Sequence, residues 1–203
     1  MKLPFDLSFG SGVKKLPGMK YPERRSRKTV KLQKGEFFPY LEKKDLLLSY
    51  PFQSMSAFVE FLYEAADDPD VVSIRITLYR LSASSKVAAA LAYAADRGKS
   101  VLCLLELRAR FDEQNNIDYS EVLEDAGCQV IYGLPEMKVH SKLCLVTRRR
   151  GESVQYFTQV GTGNYNEVTS EQYTDLSVIT SDERVGRDAA QTFEALATGQ
   201  TPP

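Results

Sequence analysis

The chain has 203 residues, of which 43% are hydrophobic and 26% charged, with a formal net charge of −1. That composition fits one domain of ordinary size with a substantial core. No apolar stretch approaches the roughly 20 residues a membrane-spanning helix needs, and the N-terminus lacks the apolar core of a signal peptide, so a cytoplasmic protein is expected.

Residues 1–44 carry 12 Lys and Arg against 4 Asp and Glu, and residues 45–203 carry 14 against 23, so a basic head precedes an acidic body. The head, with Arg24-Arg25-Ser26-Arg27-Lys28 and scattered Gly and Pro, has no sustained period. It reads as a solvated linker over residues 1–39 or part of an upstream segment, and no nucleic-acid partner is expected. Leu46-Leu47-Leu48-Ser49-Tyr50 is a short apolar run ended by Pro51, and Met55, Phe58, Val59, Leu62, Ala65 and Ala66 follow at helical spacing, with Ser54 as candidate cap.

From there strand and helix signals alternate. Val71–Thr77 is rich in β-branched residues, Lys86–Arg97 is alanine-rich and helical, and Ser100–Leu107 is an apolar strand. Ile117–Ala126 is a second crossover helix, closed by Gly127, and Gln129–Tyr132 a third strand. Strands about 30 residues apart with a helix between them make βαβ units, so this half implies a parallel sheet covered by helices. Ser141–Thr147 and Ser153–Val160 are then two strands joined by a hairpin loop, Arg148-Arg149-Arg150-Gly151-Glu152, and Tyr173–Thr180 is a further strand. A helix over Glu183–Leu196 closes the domain, taken as residues 40–197, and residues 198–203 read as a linker. The fold expected is α/β, a mixed sheet with βαβ units flanked by helices. Cys103 and Cys144 fall inside predicted strands, Cys128 has no CxxC partner, and all three read as reduced core residues.

Four stretches carry candidate chemistry. His140, the only histidine, is followed by Ser141 and Lys142. On an extended backbone His140 and Lys142 would share one face, an imidazole that can attack phosphorus beside a cation that can hold phosphoryl oxygens. A lone strand histidine is more often a hydrogen-bonded core residue. Gly161-Thr162-Gly163-Asn164-Tyr165-Asn166 follows the next strand. Its amides and the Asn164 amide group could donate to phosphate, or the stretch could be an ordinary tight turn. Arg80 and Arg110 each follow a predicted parallel strand, at the sheet edge where α/β proteins bind ligands. A guanidinium fork suits phosphate, although salt bridges to neighbours such as Asp112 and Glu113 would explain such arginines equally well.

HxK, a strand, then GxxN is the order of the phospholipase D superfamily, except that Thr147 stands where its aspartate is expected. Leu78-Tyr79-Arg80, Glu106 to Glu113, Val130 to Gly133, Lys138 to Lys142, Gly161 to Asn166 and Tyr173 to Ser177 together resemble the type 1 polyphosphate kinase family, in order and at about its spacing. The resemblance runs from about Tyr40 to Glu194 and covers the first of that family's two phospholipase D-like catalytic domains. It implies reversible transfer of the ATP γ-phosphate to polyphosphate through a phosphohistidine, a role that falls on His140, with ATP or ADP and polyphosphate as partners. It also implies Mg²⁺, for which the family's two arginine positions match Arg80 and Arg110. A guanidinium cannot ligate a cation, so these arginines are read as holding the phosphate oxygens that the metal contacts, with Lys142 and Asn164 completing the cradle. The family further implies a second catalytic domain and a homo-oligomer, and is compatible with peripheral membrane association.

Three residues depart from the family pattern: Glu171 stands where arginine is usual, and Arg75 and Ile76 precede Thr77 in place of more typical lysine and polar residues. A carboxylate near a polyanion site is unfavourable if it points inward. No second histidine is available as acid or base, so the chain is expected to form one half of a composite site. Two other readings are a dimeric phospholipase D-like phosphodiesterase or nuclease, and a non-catalytic polyphosphate-binding module.

Overall fold

The β-branched run from Val71 and the apolar run from Ser100 form two parallel strands, and the rest of the chain is laid on either side of them. A computed structural model describes residues 26–27, 30–79, 81–82, 84–106, 113–133 and 138–202. Among these residues the strands are β1 (Leu46–Tyr50), β2 (Val71–Leu78), β3 (Ser100–Leu105), β4 (Gln129–Tyr132), β5 (Lys142–Arg150), β6 (Ser153–Gly161) and β7 (Asp175–Thr180). The helices are α1 (Phe37–Leu41), α2 (Ser56–Asp67), α3 (Lys86–Asp96), α4 (Glu113–Asp125), α5 (Glu167–Ser170) and α6 (Glu183–Ala197).

One seven-stranded sheet results, in the order β1-β7-β6-β5-β2-β3-β4. β2, β3 and β4 are parallel, as expected of βαβ units, and β5 adds to β2 antiparallel with Ile76 opposite Cys144. β6, β7 and β1 then continue antiparallel. The expected mixed α/β sheet is the observed one.

Side chains alternate across this sheet as the pleat requires. Ile74, Ile76, Leu78, Cys103, Leu105, Cys144 and Val146 enter the main core, shared with buried residues of α1, α2 and α3. Leu145 instead meets Ala189 and Phe193 of α6, and Leu104 meets Leu196, so α6 covers the opposite face. Aromatic rings close the main core: Phe38 stands edge-on to Phe157 at 4.7 Å and Phe58 stacks on Tyr165 at 5.1 Å. Val30 and Leu32 pack against this core from upstream of residue 40. The three cysteines are free and buried.

Local chemistry accounts for most helix ends. Ser85 Oγ accepts from Ala88 N at 3.2 Å to start α3, and Asp182 accepts from Arg184 N at 2.9 Å to start α6. At α2 the cap position is Met55, without a side-chain bond, rather than the expected Ser54, whose Oγ accepts from Ser56 N at 3.1 Å one residue upstream of the observed cap.

Several boundaries differ from those read in the sequence, among them the end of β3, at Leu105 rather than Leu107. α4 begins at Glu113 rather than Ile117, because its first turn, Glu113-Gln114-Asn115-Asn116, has no apolar residue to show a period. The three arginines belong to β5 rather than to a loop: Arg148, Arg149 and Arg150 pair with Gln155, Val154 and Ser153. The turn is only Gly151-Glu152, with Gly151 at φ +60°, a conformation glycine adopts without strain. β5 starts at Lys142 rather than Ser141, and β7 at Asp175 rather than Tyr173.

The helices α1 and α5 carry no sequence signal. α1 has five residues, and its first two amides are satisfied from elsewhere: Glu64 of α2 accepts from Phe37 and Phe38 N at 3.0 and 3.2 Å, and from Gly35 N just before the helix at 2.7 Å.

Candidate functional site

The C-terminal ends of β2, β3 and β4 point to one edge of the sheet. Antiparallel pairing brings the start of β5 and the end of β6 to that same edge, with Lys142 opposite Gly161. Backbone bonds extend the parallel ladder there, from Glu106 N to Leu78 O at 2.9 Å and from Gly133 N to Leu105 O at 3.1 Å. His140, Lys142 and the glycine loop therefore meet at one edge although His140 and Asn166, at the far end of that loop, are 26 positions apart in sequence.

His140 precedes β5 and its side chain is exposed, whereas Lys142, the first residue of the strand, is only 5% exposed. The two do not simply repeat along a strand face. Lys142 Nζ turns back to donate to His140 O at 2.5 Å and lies 5.2 Å above the Tyr79 ring. The imidazole stands edge-on to the same ring, with centroids 4.7 Å apart. Tyr79, just past β2, thus fixes the imidazole and the ammonium against one aromatic surface. Two buried side chains hold the adjoining backbone: Glu106 Oε2 accepts from Val139 N at 3.0 Å, and Thr77 Oγ1 donates to Ser141 O at 2.8 Å and accepts from Leu143 N at 3.1 Å.

The glycine loop is built from the inside. Thr162 N donates to Leu176 O at 2.9 Å, Leu176 N donates to Thr162 Oγ1 at 3.0 Å, and that hydroxyl donates to Asp175 Oδ1 at 2.7 Å. A Cβ at Gly163 would come within 2.5 Å of Asp175 Oδ2, so the approach of this carboxylate explains the second glycine. Tyr165 is buried and donates to Gln159 Oε1, while Gln159 Nε2 donates to Ser177 Oγ at 2.8 Å. Burial pushes the Tyr165 phenol well above its usual value. Asn166 Oδ1 accepts from Val168 and Thr169 N, both at 3.0 Å, and starts α5. Glu167 then reaches the loop after β2, accepting from Ser82 Oγ at 2.5 Å and Lys86 N at 2.6 Å. One carboxylate therefore joins the segment that follows β2 to the segment that follows β6.

Of the residues selected from sequence, His140 and Lys142 lie together around Tyr79. Asn164 stands in the glycine loop, partly buried, and its Oδ1 is buried without a hydrogen-bond partner among the described residues. Arg80 and Arg110 lie outside the described residues; Tyr79 and Glu106, which precede them, are at the site edge. Glu171 is exposed at the end of α5, where it accepts from Ser26 Oγ at 3.4 Å, so its charge faces solvent. Thr147 lies within β5, opposite Ser73 and Tyr156. Thr77 and Glu106 open two of the stretches singled out in the sequence but were given no role of their own, and Glu167 was not singled out. Only Glu106 carried a local signal, a carboxylate directly after the apolar run Val101-Leu102-Cys103-Leu104-Leu105.

Residues 36–202 match the model of the polyphosphate kinase C-terminal domain 1. The chain belongs to the polyphosphate kinase family. It is 41% identical over 204 residues to the polyphosphate kinase of Lactiplantibacillus plantarum, an alignment that takes in 98% of this chain and 28% of that protein. The chain thus spans little more than a quarter of the length of this curated relative. The crystal structure of polyphosphate kinase from Porphyromonas gingivalis superimposes with a TM-score of 0.71 at 36% identity, over 80% of this chain and 27% of that one. Nuc of Salmonella typhimurium, a phospholipase D family member, superimposes with a TM-score of 0.59 at 16% identity, over 77% of this chain and 95% of that one. The fold is therefore that of a polyphosphate kinase domain and is phospholipase D-like. No described helix is long and apolar enough to cross a membrane.

Proposed function

We propose that this chain is a catalytic domain of a polyphosphate kinase, in which His140 takes the γ-phosphate of ATP or the terminal phosphate of polyphosphate and passes it on. The observation that carries the reading is the exposed imidazole of the only histidine, held with the Lys142 ammonium against Tyr79 at the sheet edge. An exposed ring held by its neighbours is open to in-line attack on phosphorus, and positioning of this kind supplies much of the rate in phosphoryl transfer.

In that step the imidazole nitrogen bonds to phosphorus, the bond to the bridging oxygen breaks, and ADP or the shortened polymer leaves. Lys142, Arg80, Arg110 and the Asn164 amide would hold the phosphoryl oxygens as charge develops on them. The described residues contain no cluster of three or more His, Cys, Asp or Glu that could hold a metal. With Lys142 at this edge and no such carboxylate cluster among the described residues, a Mg²⁺ would be held through the phosphate oxygens and would there neutralise part of their charge. A second catalytic domain, present in the family, would supply the acid or base that the single histidine lacks.

The test is to incubate the chain with ATP and Mg²⁺ and read its intact mass at neutral or alkaline pH, where a phosphohistidine survives. One phosphoryl group is expected on the parent and none on His140→Ala. A phosphoryl group retained by His140→Ala would sink the assignment. A folded parent that takes none, even mixed with a second catalytic domain, would leave a binding module. Cleavage of a bis-aryl phosphodiester without nucleotide would point to the phosphodiesterase reading.

A further inference from the structure

We infer that Thr77 and Glu106 are positioning residues that clamp the backbone on both sides of His140; the inference rests on the reading of His140 as the phosphoryl acceptor. Residues 138–141 belong to no strand. On the side facing β2, regular pairing of β5 begins only at Cys144, opposite Ile76. The peptide groups from Val139 to Leu143 therefore lie beyond that ladder, and side chains take over from it. Glu106 Oε2 accepts from Val139 N at 3.0 Å, before the histidine. Thr77 Oγ1 donates to Ser141 O at 2.8 Å and accepts from Leu143 N at 3.1 Å, after it.

Both residues are 2% exposed. A buried carboxylate and a buried hydroxyl are costly unless their bonds are made, and at Thr77 valine would fill a strand position equally well. Glu106 is also hemmed in, since a Cβ on Gly133 would meet its Oε2 at 3.0 Å. Two such groups, one within β2 and one just past the end of β3, converge on the few residues bracketing the only histidine. With the backbone fixed at Val139 and Ser141, the imidazole is held in its edge-on contact with Tyr79, and the His140 carbonyl is presented to Lys142. Neither Thr77 nor Glu106 needs to touch the substrate to do this.

The single imidazole gives a readout that strand stability alone does not move. Its proton resonances carry the ring-current shift of Tyr79 and are read on the intact chain at fixed pH, beside the rate of phosphoryl uptake from ATP and Mg²⁺. Thr77→Val, which removes the hydroxyl at nearly constant shape, is expected to lose that shift and to slow uptake by about 10²-fold, the scale of a displacement of about 1 Å. Thr77→Ser keeps the hydroxyl and is expected to keep the shift, with uptake within a few-fold of the parent. Glu106→Ala is expected to lose the shift, and Glu106→Gln, whose amide oxygen still accepts, to retain it. An unmoved imidazole in folded Thr77→Val or Glu106→Ala overturns the clamp, and so does loss of the shift in Thr77→Ser. A parent that shows the Tyr79 shift yet takes no phosphoryl group counts against the functional reading alone, and the spectra of the variants still decide the clamp.

Discussion

At the scale of single residues, buried phenols govern how the fold answers to alkali. Burial pushes the Tyr50 phenol up to about 12, against the lowering effect of its hydrogen bond with Ser177. A raised folded-state value means that the core accepts only the neutral phenol. The associated stability is complete below the unfolded value of about 10 and is lost as pH rises from there towards 12. Tyr50→Phe should therefore cost about 1 kcal/mol at neutral pH, through the lost hydrogen bond, and remove about 2 kcal/mol of the loss seen between pH 10 and 12. Urea midpoints measured across that range check it: the variant curve should start below the parent's and cross above it before pH 12, and parallel curves would contradict it. Tyr165, raised in the same direction by burial, leaves part of the alkaline limb in place. At the site, the loop from Gly161 to Glu167 shows how far a motif can be read. Its glycines suggested a ligand cradle, but Gly163 is explained by the Asp175 carboxylate packed against it, and Asn166 and Glu167 by the helix starts they satisfy.

Among the elements, α6 is the clearest case of packing overruling propensity. Glycine within a helix costs about 1 kcal/mol relative to alanine. Gly186 is buried on the α6 face that crosses β6, where an added Cβ would meet the Tyr156 Cβ and come within 2.7 Å of its Cγ. The clash involves the root of an aromatic side chain rather than a flexible tip, so strand or helix has to move. Overpacking of this kind costs about 1–3 kcal/mol, which exceeds the propensity gain. Gly186→Ala is expected to lower the thermal midpoint, by several degrees at the upper end of that range, whereas a rise would show that α6 shifts freely on the sheet. α1 makes the complementary point. Five residues cannot form a helix alone, and two of its amides, with that of Gly35 just before it, are held by Glu64 from another helix.

Over the whole molecule, strands from both ends of the described chain share one sheet: β1 pairs only with β7, and β2 joins the parallel and antiparallel halves. The main core likewise runs from Phe37 to Ile179 without a break between the halves. Unfolding is therefore expected as one cooperative transition, with far-ultraviolet circular dichroism and tyrosine fluorescence giving the same denaturant midpoint. Two separated midpoints would mean that the β1, β7, β6 side opens as an independent unit.

The sequence by itself determined the elements whose cause is local. Periodicity marked the main strands and the four longer helices, and the alternation from Val71 to Tyr132 implied a parallel sheet. The motifs around His140, Lys142 and Gly161 to Asn166 pointed to the family that the comparisons then showed. Tertiary structure decided what depends on groups far apart in the chain. It set β1 beside β7, more than 120 residues away, a pairing that no local period can announce. It also placed Thr77 and Glu106 against the backbone around His140, across 64 and 33 residues of chain. Hydrogen bonds to the backbone leave no pattern in side-chain spacing, so the supports of the site became visible only when the strand ends met.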